Sequence, residues 1–211
     1  AAKRGRKASV RVAFQGEPGA FSEAAELRLL PDAEPRPYPT FDEVFDAVTN
    51  GSVSLGVVPI ENSIGGSIHR NYDLLVQRDL SIVGEVQVPV VHNLLALPGV
   101  KLEEVRRVLS HPQALAQCAG FLRDLHHAEA IATYDTAGSA KMVRDEQRRD
   151  TAAIASERAG TLFGLDDTPT KRYGPCVEGA GLHHNPTPGP AGGRFVYGHV
   201  WVTLALLARH R

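Results

Sequence analysis

The chain has little of what marks a secreted or metal-bound protein. Its 211 residues hold two cysteines, Cys118 and Cys176, far apart and in no Cys-x-x-Cys pair. That disfavours a disulfide framework or a zinc knuckle and fits the reducing cytosol, so a cytoplasmic location is expected. No apolar run approaches the ~18 residues of a membrane helix, and none follows the basic N-terminus as a signal peptide requires. Excess charge of one sign is missing too: 23 Lys and Arg stand against 24 Asp and Glu, for a net charge of -1. Such a balance offers no general pull toward nucleic acid or anionic membrane, so neither is expected as a partner. The basic cluster Lys3–Lys7, "KRGRK", has no aromatic or helical pattern beside it and reads as a disordered tail over residues 1–9. Methionine is nearly absent, Met142 being the single one, so the N-terminus reads as processed or as an imposed boundary. The pairs His126–His127 and His183–His184 invite a metal reading. Adjacent side chains do not share a face of a helix or strand, and no further ligand spacing accompanies them, so no metal site is expected.

What is present is an ordinary apolar fraction, 43%, over a length that suits one large domain or two small lobes. One construction recurs along it: an apolar run, a few small or polar residues, then a helical period. Val10–Phe14 reads as a strand, Gln15–Gly19 as a turn, and Phe21, Ala24, Ala25, Leu27 and Leu30 recur at helical spacing. "VVPIENSIGG" ends a buried strand on Glu61, Asn62 and Ser63, follows it with Gly65 and Gly66, and leads into a helix near Ser67–Val76. "VLSHPQALAQC" puts Pro112 in a first helical turn. "DTAGSA" offers Asp135 or Thr136 as an N-cap, and "AAIASERAGTLFG" offers Ser156 as a cap and Gly164 as a stop. Thr40–Gly51 carries a Thr-x-x-Glu capping box and a glycine terminator. Leu80–Leu97 is strand-rich and long enough for one crossing strand or a pair.

Strand–turn–helix units in alternation imply an α/β fold with mainly parallel sheets. In such sheets ligands sit at the carboxyl ends of strands, where helix N-termini present free N–H groups and a positive dipole end. "ENSIGG" lies at such an end, and its glycines let the backbone come close to a ligand. Several such termini around one cleft can hold an anion without buried Arg or Lys. The pattern of residues alone implies a small anionic ligand in an α/β cleft.

"VAFQGEPGAFSEAA", "GVVPIENSIGGSI", "SHPQALAQC", "DTAGSA" and "AAIAS" also follow one another here as they do in a known family. Over about Val10 to Leu165 the chain resembles the prephenate dehydratase catalytic domain, whose motifs the plant arogenate dehydratases share. The resemblance implies a two-lobed fold similar to the type II periplasmic binding proteins, with the active site between the lobes. Lobe one is expected over about 10–86, lobe two over about 87–174, with the C-terminal stretch returning to the first. The implied activity is a cofactor-free carbon–oxygen lyase that converts prephenate, a dicarboxylate, to phenylpyruvate in phenylalanine biosynthesis. Homo-oligomers are common in the family, so one is expected here. Transferred motif by motif, the catalytic set is Asn62, Ser63, His111 and Arg194. Substrate contacts fall on Gln15, Gly16, Gly19, Ser22, Glu61, Gly65, Gln113, Asp135, Thr136, Ala137, Ser156 and Phe195. His111 is read either as a proton carrier or as a helix-cap donor, Glu61 either as an acid or as a carboxylate fixing the next loop, and Cys118 as core.

The resemblance breaks in one place. The family's Thr-Arg-Phe, whose Thr carries the essential hydroxyl, meets "GGRFVYG": Arg194 and Phe195 match, and Gly193 stands in place of Thr. The preceding stretch keeps Asn185 and Pro186 but is rich in Pro and Gly, and Thr187 within it is a possible substitute hydroxyl. A lowered activity is therefore expected, and an arogenate dehydratase or a non-catalytic two-lobed anion-binding protein stays open as the alternative. The regulatory ACT domain that usually follows is not expected in the sixteen residues after Phe195.

Overall fold

The computed structural model describes residues 9–167, 181–184, 195–198 and 201–209. The Lys3–Lys7 cluster, Cys176, Asn185, Pro186, Thr187, Gly193 and Arg194 lie outside the described residues. In chain order the elements are β1 (Arg11–Gln15), α1 (Phe21–Leu29), β2 (Glu34–Tyr38), α2 (Phe41–Thr49), β3 (Leu55–Asn62), β4 (Gly66–Ser67), α3 (His69–Gln77) and β5 (Leu80–Pro89). Then come β6 (Asn93–Ala96), β7 (Arg107–Ser110), α4 (Pro112–Gln117), α5 (Ala119–Asp124), β8 (Glu129–Ala132), α6 (Thr136–Asp145), β9 (Thr151–Ala155) and α7 (Glu157–Phe163). β10 (Asp166–Asp167), β11 (Gly181–His184), β12 (Phe195–Gly198) and β13 (Trp201–Arg209) complete the series.

α2, α6 and α7 start where a side chain satisfies a free N–H group. Thr40 accepts from the Glu43 N–H, Asp135 from that of Gly138 and Ser156 from that of Ala159. Of the two residues offered as the cap of α6, Asp135 takes the role. α7 stops at Gly164, whose φ of +63° is a left-handed conformation that glycine adopts without strain.

The strands form two principal sheets. The first has the order β2-β1-β3-β13-β5, with β4 paired to β3; the second has β10-β6-β9-β7-β8. Strands joined through helices pair in parallel: β1 with β2 and β3, and β7 with β8 and β9. Where the chain leaves and re-enters, pairing is antiparallel: β13 with β3 and β5, and β6 with β9 and β10. Both sheets are therefore mixed, with one parallel side and one antiparallel side. The strand-rich run Leu80–Leu97 is a pair split between sheets, β5 in the first and β6 in the second. The change falls at Val90–His92, just beyond Pro89, a few residues later than the expected 86.

Three apolar clusters cover the sheets, and β1 feeds all of them. Val12 joins the cluster under α1, Ala13 the one under α2, and Phe14 the core of the second sheet. Phe14 of the first sheet and Ala20, the N-cap of α1, are thus packed with Leu94, Ile154 and Ala159 of the other half. A fully buried Phe contributes about 1.5–3 kcal/mol. Placed in the opposite core, that energy holds the halves to each other.

Candidate active site

The carboxyl ends of the central strands meet across a cleft of about 560 Å³, within the size range of small-ligand sites. Each wall is a set of helix starts, because the strand–helix units of β1, β2, β7 and β8 end their strands there. The first half contributes the starts of α1 (Phe21, Ser22) and α2 (Thr40, Phe41, Asp42). The second contributes those of α4 (His111, Gln113, Ala114) and α6 (Asp135, Thr136). Among the described residues lining the cleft there is no Lys or Arg. Attraction for an anion therefore falls to N–H groups, dipole ends and polar side chains. Of the two lining carboxylates, Asp42 is ion-paired with Arg70 at the rim. Among the described residues no group of three or more His, Cys, Asp or Glu side chains could hold a metal ion.

Seven of the expected residues line this cleft: Gln15, Ser22, Asn62, His111, Gln113, Asp135 and Thr136. Asn62 is buried, and its Oδ1 accepts from the N–H groups of Ile64 (3.0 Å) and Gly65 (2.9 Å). The carboxamide oxygen thus shapes the "ENSIGG" turn, and its NH₂ group is the part free to meet a ligand. Gln15 donates from Nε2 to the Pro39 carbonyl at 3.3 Å. His111 caps α4: its Nδ1 accepts from the Gln113 N–H at 3.2 Å, so in the cap it is an acceptor and not the donor it was read as. With Nδ1 so engaged, the imidazole carries its proton on Nε2 and offers an N–H donor.

The other expected residues go elsewhere. Ser63 ties down β13: its Oγ accepts from the Trp201 N–H at 3.0 Å, and its own N–H donates to the Trp201 carbonyl at 2.9 Å. Glu61 is exposed on β3, across from Thr203. Ala137 is fully buried in the second core. Gly65 faces Gln113 across the cleft, with no room for a Cβ unless that side chain moves. Gly16, Gly19 and Ser156 form the junction between the halves. The Ser156 hydroxyl donates to the Gly19 carbonyl at 2.6 Å, and a Cβ on Gly19 would stand 2.8 Å from the Ala159 Cα. Gly19 holds a φ of +93° there. One on Gly16 would meet the Asp135 Oδ2 at 3.0 Å. Phe195 begins β12.

His92, its partner Gln117 and Tyr134 are lining residues that escaped the sequence reading. His92 sits at the crossing between sheets, its Nε2 donating to the Gln117 Oε1 at 2.7 Å and its ring edge-on to Phe21. A histidine within the apolar run "VPVVHNLLAL" was the available signal. Tyr134, 61% exposed, stands just before the Asp135 cap.

Burial sets the charge states. His92 is pushed below its ordinary pKa by desolvation, which outweighs the Gln117 bond, so it is neutral. Asp135 is raised by desolvation, opposed by the Gly138 N–H and reinforced by the nearby Glu17 carboxylate. Tyr134 is raised by desolvation and then by Glu17 and Asp135, so its phenol stays protonated.

A family profile described as prephenate dehydratase matches residues 12–170, which include the whole of both cleft walls described above. The chain belongs to the prephenate dehydratase family. Among its relatives, arogenate dehydratase 5 of Arabidopsis thaliana is 53% identical over 158 residues, covering 74% of this chain and 37% of that protein. Arogenate dehydratase/prephenate dehydratase 2 of the same plant is 53% identical over 157 residues, 74% of this chain and 41% of its own length. Both are named as chloroplastic, and the chain spans about two fifths of their length. A solved quorum-quenching acylase, GqqA, superposes with a TM-score of 0.74 at 31% identity, over 95% of this chain and 64% of that one. The prephenate dehydratase of Arthrobacter aurescens, solved with L-Phe, superposes with a TM-score of 0.72 at 23% identity, over 96% of this chain and 61% of that one. The fold is thus that of the prephenate dehydratases. No helix among the described residues is long and apolar enough to cross a membrane.

Proposed function

We propose that the chain is the catalytic part of a prephenate dehydratase that converts prephenate to phenylpyruvate. The observation that carries this is the cleft itself, walled by helix starts and polar donors from both halves in a member of this family. The substrate is a dicarboxylate, which N–H groups at helix starts suit without buried cations. Loss of the ring carboxylate as carbon dioxide moves an electron pair into the ring. The opposite carbon–oxygen bond breaks with its pair on oxygen, which takes one proton and leaves as water. Aromatisation supplies the driving force, so the protein's tasks are orientation and one proton. The Asn62 NH₂ group, the His111 Nε2–H, Ser22, Thr136 and Gln113 are the proposed partners of the carboxylates. Arg194, by its place in the motif, is the proposed cation from beyond the described residues.

A second reading, arogenate in place of prephenate, is favoured by the names of the relatives and by the buried Asp135 carboxylate in a cleft without Lys or Arg among its described lining, which suits an ammonium group. Parallel steady-state assays decide between them: phenylpyruvate absorbance with prephenate, and phenylalanine formation with arogenate. Saturable binding of either with turnover of neither would make the chain an anion-binding protein instead. We also propose a homo-oligomer and a reducing, cytoplasm-like setting. The first is supported by Ile82 and Val83, both more than half exposed on β5, an edge strand of the first sheet. The second is supported by the two distant cysteines.

A further inference from the structure

Glu17, in the turn after β1, is not in the cleft lining, yet two side chains from the opposite half converge on it. Tyr134 donates its phenol proton to the Glu17 Oε1 at 3.4 Å, and Lys141 donates from Nζ to the Oε2 at 3.1 Å. Tyr134 and Lys141 stand seven positions apart along α6 and its approach, with Gly138 between them. Gly138 and Lys141 share a face of α6, and the Tyr134 ring folds onto it from before the extended Asp135 cap. Gly138 is what lets the phenol lie down on that face, since a Cβ there would collide with the Tyr134 ring. The ring is therefore held flat by the missing side chain behind it and by Glu17 at its tip. One side of this ring is cleft wall.

From this geometry we propose that Glu17 is a positioning residue for the cleft. It acts through Tyr134, fixing the phenol as part of the wall, while Lys141 balances its charge. The inference rests on the functional reading above only for its kinetic arm. Other contacts hold the halves together nearby, notably Arg158 Nε to the Glu23 Oε2 at 2.7 Å and Ser156 to Gly19. Removing Glu17 therefore frees the Tyr134 ring without separating the halves.

Two variants and one cycle test this. Glu17→Ala should raise KM about tenfold with kcat changed less than about threefold, as a loosened substrate-positioning wall requires. The pair is half-exposed, so the melting temperature should move by no more than about 2 °C. Because Glu17 works through Tyr134, Glu17→Ala with Tyr134→Phe should be no worse than the worse single variant. Independently of turnover, ultraviolet titration of the phenol, assigned by difference against Tyr134→Phe, should give a lower midpoint in Glu17→Gln, since the Glu17 charge helps hold that phenol protonated. An unchanged KM in Glu17→Ala, additive effects in the double variant, or an unmoved Tyr134 midpoint overturns the proposal. If the wild type turns over neither prephenate nor arogenate, the functional reading fails, and the titration alone decides whether Glu17 governs Tyr134.

Discussion

The starts of α6 and α7 are built alike and used differently. Each follows a strand of the second sheet, and each has a capping side chain that accepts an N–H from the first turn. At α6 the cap Asp135 and its neighbour Thr136 open onto the cleft. At α7 the cap Ser156 gives its hydroxyl proton to the Gly19 carbonyl, and the backbone of Gly19 presses on Ala159. One start is left for a ligand and the other is filled by the first half's own turn. A strand–cap–helix unit is thus a binding device only when nothing from the rest of the chain occupies it.

The contrast can be broken most sharply at Gly19. Gly19→Ala forces a side chain into a left-handed backbone, at about 1–2 kcal/mol, and against Ala159, at about 1–3 kcal/mol. Chemical denaturation should show a loss of about 2–5 kcal/mol, and a loss under 1 kcal/mol would mean that the junction is not packed as described.

The next effect lies on α1, where two buried glutamates differ in the same way. Glu23 accepts from the Gly19 N–H at 2.8 Å and from Arg158, whereas Glu26 is fully buried with no partner for either oxygen. Desolvation, with Glu23 adding repulsion, lifts the Glu26 pKa from 4.5 to about 8. The folded state then holds a proton that the unfolded state releases near its ordinary value. Stability from this group is full below about pH 4.5 and is lost progressively as the pH rises through about 8. Glu26→Gln should match the wild type near pH 5 and exceed it by about 2–4 kcal/mol at pH 8.5. Parallel stability curves with no pH-dependent gap would show that Glu26 is solvated.

The comparison of caps is sharpened by a crossed pair. Ser156→Ala should cost about 1–3 kcal/mol of stability, the range for a lost buried hydrogen bond and cap, and leave KM of the folded enzyme unchanged. Asp135→Asn keeps a capping oxygen, so it should cost less than about 1 kcal/mol while lowering kcat/KM about tenfold or more by altering charge in the cleft. Reversed outcomes would exchange the roles of the two helix starts. The smallest effect concerns the "ENSIGG" turn. Asn62→Asp retains the oxygen that accepts from Ile64 and Gly65, whereas Asn62→Ala loses it. Stability should fall by about 1 kcal/mol in the alanine variant alone, and catalytic efficiency in both. Equal efficiency in wild type and the aspartate variant would remove the Asn62 NH₂ group from substrate binding.

Local chemistry was legible at many points among the described residues. The caps Thr40, Asp135 and Ser156, the stop at Gly164, the first-turn Pro112 and the buried Cys118 all follow from short-range rules about N–H groups, φ angles and apolar spacing. So did the alternation that makes the fold α/β. Period alone does not tell a parallel from an antiparallel partner, which is why the sheets are mixed where parallel pairing was expected. The same blindness hid the split of Leu80–Leu97 between sheets, since a strand's own residues do not record which neighbour it joins.

The sequence by itself determined which residues are polar, capped and gathered at strand ends, because those are properties of a few adjacent side chains. Only the tertiary structure decided which of them face empty space. Ser63 and Ser156 carry the same hydroxyl as Ser22, yet one is taken up by Trp201, one by Gly19, and the third lines the cleft. Tyr134 and Glu17, 117 positions apart, meet only because the two halves fold against each other. Hydrogen bonds and packing are satisfied by whatever group arrives in space, so the division between junction and cleft belongs to the folded chain.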